Sequence, residues 1–392
     1  MDLVFVTEAR FYKNSSGQIY ADSASFSMIL WERYLSFFDK LYILARVGDS
    51  DTHTSNLIDD SRICFLPIPY YVGFEGFLKR RNEILQTMKS YTLSGRAYIC
   101  RVPGQIGQLF ANQLKRKKIA YAVEVVGDPW DVFAPGSINH PLSPIMRIGG
   151  YWGLHRVVKT ASAVLYVTKQ QLQRRYPCRK GVFSTYASNV FINNSFLVSQ
   201  PKKYSTNLKK HTISFLAIGS LEQMYKAPDI ILDALAILKK KGYQIKLKWL
   251  GDGMYKQAMQ EYAHKLCLDT YVDFAGNVSS QQVHEELLCA DIFLHVSRTE
   301  GLPRALIEAM ACSLPCIGSR VGGIPELLEE VALVSPGIPS ELAEKIQEFI
   351  SNTHLLNSQA FRNWNEAQTY HEFFLSQRRT DFYQYVTNIV EQ

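Results

Sequence analysis

Nowhere in the chain do about 18 apolar residues run together, so no segment has the length to cross a bilayer as a helix. The seven cysteines, Cys64, Cys100, Cys178, Cys267, Cys289, Cys312 and Cys316, share no paired spacing beyond one Cys-x3-Cys. That excludes a disulfide framework and points to buried thiols in a reducing compartment. No histidine or second cysteine pair lies beside Cys312 and Cys316 in sequence, so small core residues are expected there rather than metal ligands. The nine histidines, His53, His140, His155, His211, His264, His284, His295, His354 and His371, form no pattern of a metal site or of a nucleophile with its base, and no metal is expected. Internal repeats and low-complexity segments are missing. The opening "MDLVFVTEAR" lacks the shape of a signal peptide, because Glu8 and Arg10 interrupt a short apolar run. A protein of the cytosol, or one attached to a membrane from the cytosolic side, is the expectation.

What is present is enough apolar material for two cores: 392 residues, 47% of them hydrophobic. Residues 1–195 carry 24 Lys and Arg against 14 Asp and Glu, whereas residues 196–392 carry 19 against 22, so the halves have different electrostatic tasks. Between them "NNSFLVSQPKKYSTNLKKH" is polar, basic and without period, which reads as a linker over 196–211. Beyond it β-rich runs such as "ISFLAIG", "IKLKWLGDG", "YVDFAG" and "DIFLHVS" alternate with helical patterns. This predicts a parallel sheet covered on both faces. In "DIILDALAILKKKG", Ile230, Ile231, Ala234, Leu235 and Leu238 recur at helical spacing and Gly242 supplies the stop. The first half alternates less cleanly, from "LVFVTE" through "KLYILARV", "AYICRVP" and "IAYAVEVVG" to "AVLYVT". The fold class expected is α/β, with doubly wound domains at 1–195 and 212–368 and a terminal docking helix at 369–392.

In open α/β sheets, ligands gather at the carboxyl ends of strands. In "SRTEGLPRALIEAMACSLP", Glu300 follows such a strand and Glu308 lies inside the helix that Pro303 starts. The amides around Gly301 to Arg304 fall where a helix leaves its first donors unsatisfied, a place for an anion or sugar hydroxyls. Gly301 allows close backbone approach, and Pro303 loses no needed donor. Against this, a glutamate before a helix can simply favour the macrodipole, and one within it can be solvent-exposed.

The segment "EGLPRALIEAMACSLPCIGSRVGGIPEL" resembles the Glu, seven residues, Glu signature and the following Gly-Gly-x-Pro-Glu of retaining glycosyltransferases with the GT-B fold, family four of that classification. "AIGSLEQMYKAPDIILDAL", "WLGDGMY", "FAGNVSSQQV" and "LCADIFLHVS" match in family order, so the likeness covers roughly residues 212–350. It implies two Rossmann-like domains facing across a cleft, with the last helix returning to the first. It also implies a nucleotide-diphosphate sugar as donor, of UDP or GDP type, no cofactor, and no metal dependence. By resemblance Glu308 accepts from the ribose hydroxyls, Glu300 contacts the donor sugar at the reacting centre, and Lys226 neutralises the diphosphate. Gly301, Leu302, Pro303, Arg304, Gly251, Gly253, Val278 and Ser220 fall on the donor side.

The sequence departs from the family at several points. Ser220 stands where an arginine is usual, so one phosphate cation is absent or comes from elsewhere, with Arg298, Arg304 and Arg320 as candidates. Ala227 replaces the glycine after the lysine, which reads as a milder change. Only Gly17 in "NSSGQ" remains of the glycine-rich loop after the first strand. The usual mid-domain histidine is missing from "YAVEVVGDPWDVF", leaving Glu124 or Asp128 on the acceptor side; Asp128 is preferred, although a turn aspartate before Pro129 reads equally well.

The basic first half is expected to hold the acceptor, a glycan or lipid-linked glycan. "FLKRR" after the aromatic "PYYVGFEGF", with "LKRKK" at 114–118, reads as a dock for anionic lipid or as a solvated face over core aromatics. Nucleic acid is not expected, since no recognised binding motif accompanies the charge. A glycosyltransferase of surface polysaccharide synthesis is the leading reading. A catalytically inert relative that scaffolds a partner is the alternative, kept open by Ser220, and a sugar-nucleotide epimerase on the same fold is disfavoured by the glutamates.

Overall fold

The structure, a computed structural model, describes residues 1–52, 55–92, 95–134, 141–205 and 212–391. The first half lays down β1 (Leu3–Lys13), β2 (Ile19–Ala21), α1 (Met28–Leu35), β3 (Leu41–Asp49), β4 (Leu57–Ile58), β5 (Ile63–Ile68), α2 (Gly73–Ser90) and β6 (Ala97–Val102). It continues through α3 (Gln105–Arg116), β7 (Ala122–Val125), α4 (Pro129–Val132), α5 (Ser143–Thr160), β8 (Ala163–Tyr166), α6 (Gln171–Arg175) and β9 (Phe183–Tyr186). Its sheet has a parallel core in the order β5-β3-β1-β6-β7-β8-β9, and β2 and β4 extend it antiparallel beyond the far end of β1.

The second half runs through β10 (Ile213–Ile218), α7 (Pro228–Lys240), β11 (Ile245–Leu250), α8 (Lys256–Lys265), β12 (Val272–Gly276), α9 (Ser280–Cys289) and β13 (Ile292–His295). Then come α10 (Arg304–Ala311), β14 (Cys316–Ser319), α11 (Ile324–Leu327), β15 (Leu333–Val334), α12 (Pro339–Ser351), α13 (Thr353–Gln368) and α14 (Glu372–Glu391). This sheet is parallel throughout, in the order β12-β11-β10-β13-β14-β15. Helices on both faces explain why the central strand β13 reads as an unbroken apolar run, Ile292, Phe293 and Leu294 being essentially unexposed, whereas β11 and β12 towards the edge carry the exposed Lys246 and Asp273. Because β10 pairs with both β11 and β13, the chain leaves β10 and β13 in opposite directions. A crevice opens at their carboxyl ends, the switch point of a doubly wound sheet.

The halves are tied together. Helix α14 crosses back onto β8 and β9, where Tyr385 stacks on Phe183 and the Arg379 guanidinium donates to the Ser188 carbonyl. Glu326 of α11 accepts from the backbone amides of Lys169 at 2.7 Å, Gln170 at 3.1 Å and Gln171, all in the first half. Leu302 packs against the cores of both halves.

Four expectations change. The described part of the linker is strapped to the second half: Tyr204 Oη donates to Asp291 O at 2.7 Å, and Trp364 Nε1 donates to Val198 O at 2.8 Å. Its polar composition concealed these anchors, and 206–211, like His53, His140 and His211, lie outside the described residues. Cys100, Cys312 and Cys316 are buried, but Cys64, Cys267 and Cys289 are exposed. Tyr71 and Phe77 of "PYYVGFEGF" turn inward, Tyr71 donating its hydroxyl to Glu8 under Arg46, so aromatics and FLKRR cations do not share one exposed patch. Gly17, at φ +85°, makes the hairpin turn from β1 to β2, a conformation that favours glycine whatever lies nearby.

Candidate active site

Lys226 follows β10 and Glu300 follows β13, so the sheet's switch point brings together two residues 74 positions apart. Lys226 Nζ lies 2.5 Å from Glu300 Oε2, and each side chain is only 13% exposed. The same oxygen meets His295 Nε2 at 2.9 Å and accepts from Ser297 Oγ at 3.2 Å. Three donors on Oε2 leave Oε1 as the oxygen available to a ligand. Burial alone would raise the Glu300 carboxyl, but the Lys226 ammonium and the His295 hydrogen bond outweigh it and hold it well below the usual carboxylate range. Burial and the same ammonium lower His295, so its imidazole is neutral at neutral pH and holds its proton on Nε2, towards Glu300.

The surrounding loops explain the glycines. A Cβ on Gly219 would lie 2.7 Å from Lys226 Cγ, so only glycine leaves room for the lysine stem. Gly322, at φ +54°, backs directly on the loop that carries Glu300: a Cβ there would fall 2.0 Å from Glu300 O. Gly251 and Gly253, expected on the donor side, let the turn after β11 lie against the 219–222 backbone. Ser220 Oγ accepts from Glu222 N at 3.2 Å and reaches Asp252 O at 3.5 Å, so it shapes that turn and brings no cation. Val278 is partly buried against the second core. Ala227 is buried in the left-handed region at φ +50°, which makes it more than a mild replacement for glycine: a side chain there costs roughly 1–2 kcal/mol.

Helix α10 starts at Arg304 with Pro303 as its N-cap. Of the three arginines considered as the second cation, Arg298 is bound bidentately to Asp229, at 2.9 and 2.6 Å, and Arg320 pairs with Glu330. Arg304 is exposed, its one hydrogen bond among the described residues is a long 3.4 Å contact with Ser25 Oγ, and its guanidinium can reach a ligand. One turn on, Glu308 is partly buried and has no side-chain partner among the described residues; burial raises its carboxyl, with Arg304 opposing. Its carboxylate oxygens are not among the buried unpaired atoms of the described residues, so they remain open to solvent and to a hydrogen-bond donor.

Gly301 faces the first half: a Cβ on it would be 3.4 Å from Val126 O, just past β7. The two acceptor-side candidates are already engaged. Asp128 is the N-cap of α4, taking Trp130 N at 2.9 Å, Tyr176 Oη at 2.6 Å and the Arg175 guanidinium, and burial with Asp131 raises its carboxyl. Glu124 is buried on β7 and accepts from Tyr34 Oη at 2.7 Å, on the sheet face covered by α14. Neither is hydrogen-bonded to Glu300, whose side-chain partners are Lys226, His295 and Ser297.

His295 and Ser297 escaped the search for histidine patterns. The available signal was strand alternation: residues two apart at a strand end face one way, here towards Glu300.

Comparisons with known proteins show what the chain resembles. Residues 199–366 match the family described as Glycosyl transferases group 1. Protein CapJ of Staphylococcus aureus is 27% identical over 352 residues, 89% of this chain and 87% of that one. The putative colanic acid biosynthesis glycosyltransferase WcaL of Salmonella typhimurium is 30% identical over 33% of this chain and 34% of its own. Anabaena HepE, solved in complex with UDP, superposes with a TM-score of 0.66 over 98% of this chain and 100% of its own, at 17% identity. The chain thus carries a domain similar to the glycosyl transferases group 1, set in a two-domain fold of the GT-B type.

Proposed function

We propose that this protein is a glycosyltransferase that moves a sugar from a nucleoside-diphosphate sugar, of UDP or GDP type, to a lipid-linked glycan acceptor in surface polysaccharide synthesis, with retention of configuration. The observation that carries the proposal is the Lys226–Glu300 pair at the switch point, followed in the chain by α10, which bears Arg304 in its first turn and, one turn on, Glu308 with no side-chain partner among the described residues. Glu308 takes the ribose hydroxyls. Glu300 Oε1 takes hydroxyls of the donor sugar. Lys226, drawn from Glu300 to the arriving diphosphate, and Arg304 neutralise the leaving group, so no metal is invoked.

The bond from the anomeric carbon to phosphate breaks while a bond to the acceptor oxygen forms on the same face. The acceptor proton passes to the departing phosphate oxygen. Glu300, held ionised by three donors, is an electrostatic and positioning group rather than a proton shuttle, so two-carboxylate glycosidase logic does not apply. The likeness to group 1 transferases, the UDP complex of HepE and the likeness to WcaL, a putative glycosyltransferase of colanic acid biosynthesis, support the reading.

The test supplies labelled UDP- and GDP-sugars with a membrane lipid extract. The wild type labels the lipid fraction with one of them, and Glu300→Gln slows transfer by about a hundredfold or more. Equal transfer by Glu300→Gln removes the catalytic assignment. Donor binding without transfer in any pairing favours the inert scaffold that Ser220 keeps in play.

A further inference from the structure

Helices α2, α3 and α5 all cover the same face of the first sheet, burying Phe77, Ile84, Phe110, Leu114, Leu154 and Val157 in one core. α3 lies between the other two, in contact with both, so their outward faces form one surface. Its charge is one-sided. The three helices hold nine basic residues, Lys79, Arg80, Arg81, Lys89, Lys115, Arg116, Arg147, Arg156 and Lys159, against two acids, Glu75 and Glu83.

α5 is unusual among them because it is apolar on both sides. Leu154, Val157 and Val158 face the core, while Ile145 is 70% exposed, Ile148 55% and Trp152 62%. At 100° per residue these three fall within about 60° of one another, a single outward stripe. Trp130 and Tyr151 continue the stripe into an open groove with Ile148, Trp152 and Arg175. The helix has 18 residues and no Asp or Glu, and Arg156 and Lys159 are exposed along its last turns. Asp131, close to the groove, is paired with Arg175.

We infer that this face docks on an anionic bilayer, with the α5 stripe entering the headgroup boundary and the basic side chains of all three helices facing the lipid phosphates. An exposed isoleucine and tryptophan stripe suits a lipid interface or a protein partner; a surface with eight exposed cations, Arg147 being turned onto Trp130, against two acids selects the anionic lipid. The placement fits an acceptor carried in that bilayer. α5 returns from the carboxyl end of β7 to the amino end of β8, so its apolar end lies on the cleft side, where Val126 approaches Gly301. The inference does not depend on the identity of the donor or on glycosyl transfer.

The test is co-sedimentation of the full chain with vesicles of phosphatidylcholine, with and without phosphatidylglycerol. The wild type is expected to bind the anionic vesicles, more weakly as salt rises. Ile145→Ser/Ile148→Ser/Trp152→Ser is expected to lower that affinity by about a hundredfold without lowering Tm, since these side chains are exposed. Arg156→Ala/Lys159→Ala is expected to lower it about fivefold per cation. Failure of the wild type to bind overturns the inference, as does a triple serine variant that binds like wild type. So does a wild-type dimer that the triple variant converts to monomer, which would make the stripe a contact between copies.

Discussion

Replacing Lys226 by Met keeps the apolar stem that fills the space beside Gly219 and removes only the ammonium. Glu300 is then left 13% exposed without its cation. Removing one partner of a buried ion pair costs about 3–5 kcal/mol. The lower end applies, because His295 and Ser297 still meet Oε2. For a domain of this size, about 3 kcal/mol lowers Tm by about 6–12 °C. The deficit also depends on pH. Lys226 is one of the forces that lower His295, so its loss lets His295 rise against Glu300. In the wild type the lowered His295 costs stability as pH falls through its unfolded value of about 6.5, and the variant, in which His295 is less depressed, loses less of it. Thermal unfolding followed by circular dichroism should therefore show a smaller deficit at about pH 5.5 than at about pH 8. An unchanged Tm at the higher pH, or the same deficit at both, refutes the reasoning.

Other perturbations test the scaffold around the pair. Gly322→Ala places a Cβ 2.0 Å from Glu300 O at a residue with φ +54°, and should lower stability by more than about 2 kcal/mol and abolish transfer; a normal Tm would show that the loop gives way freely. Glu326→Ala takes the acceptor from three backbone amides across the two halves, and should raise the radius of gyration in small-angle scattering. Ala227→Gly relieves a left-handed alanine but deletes a buried methyl, so denaturant unfolding should shift by less than about 1 kcal/mol, whereas Ala227→Val should lose more than about 2.

The second sheet was readable because its strands are parallel and alternate with helices, and its central strands β10, β13 and β14 are apolar and largely buried. Glu300, Glu308 and Lys226 were readable as a motif, and topology explains why Lys226 and Glu300 meet: β10 and β13 are neighbours. The first half was harder to read. β1 runs for 11 residues through Glu8 and Arg10, and its register with β3 shifts between Val6 and Arg10, so no clean alternation marks it. Asp128 looked like a cleft residue because it follows a strand, but Tyr176 and Arg175, 47 to 48 positions on, reserve it as a cap. Nothing local in the sequence announces such partners. The apolar stripe of α5 was hidden for a different reason: with apolar residues on both faces the helix has no dominant period, and only the fold shows which side is left in the open.

The central claim is that the switch point of the second sheet holds a nucleoside diphosphate between Lys226 and Glu308. Calorimetric titration of UDP and GDP into the wild type, Lys226→Ala, Glu308→Ala and Asp128→Asn tests it most directly. One nucleotide should bind the wild type and Asp128→Asn equally. Glu308→Ala should weaken it by at least about tenfold, the worth of hydrogen bonds to a charged group, and Lys226→Ala should weaken it too. Binding that ignores both substitutions, or no binding of either nucleotide, would contradict the account.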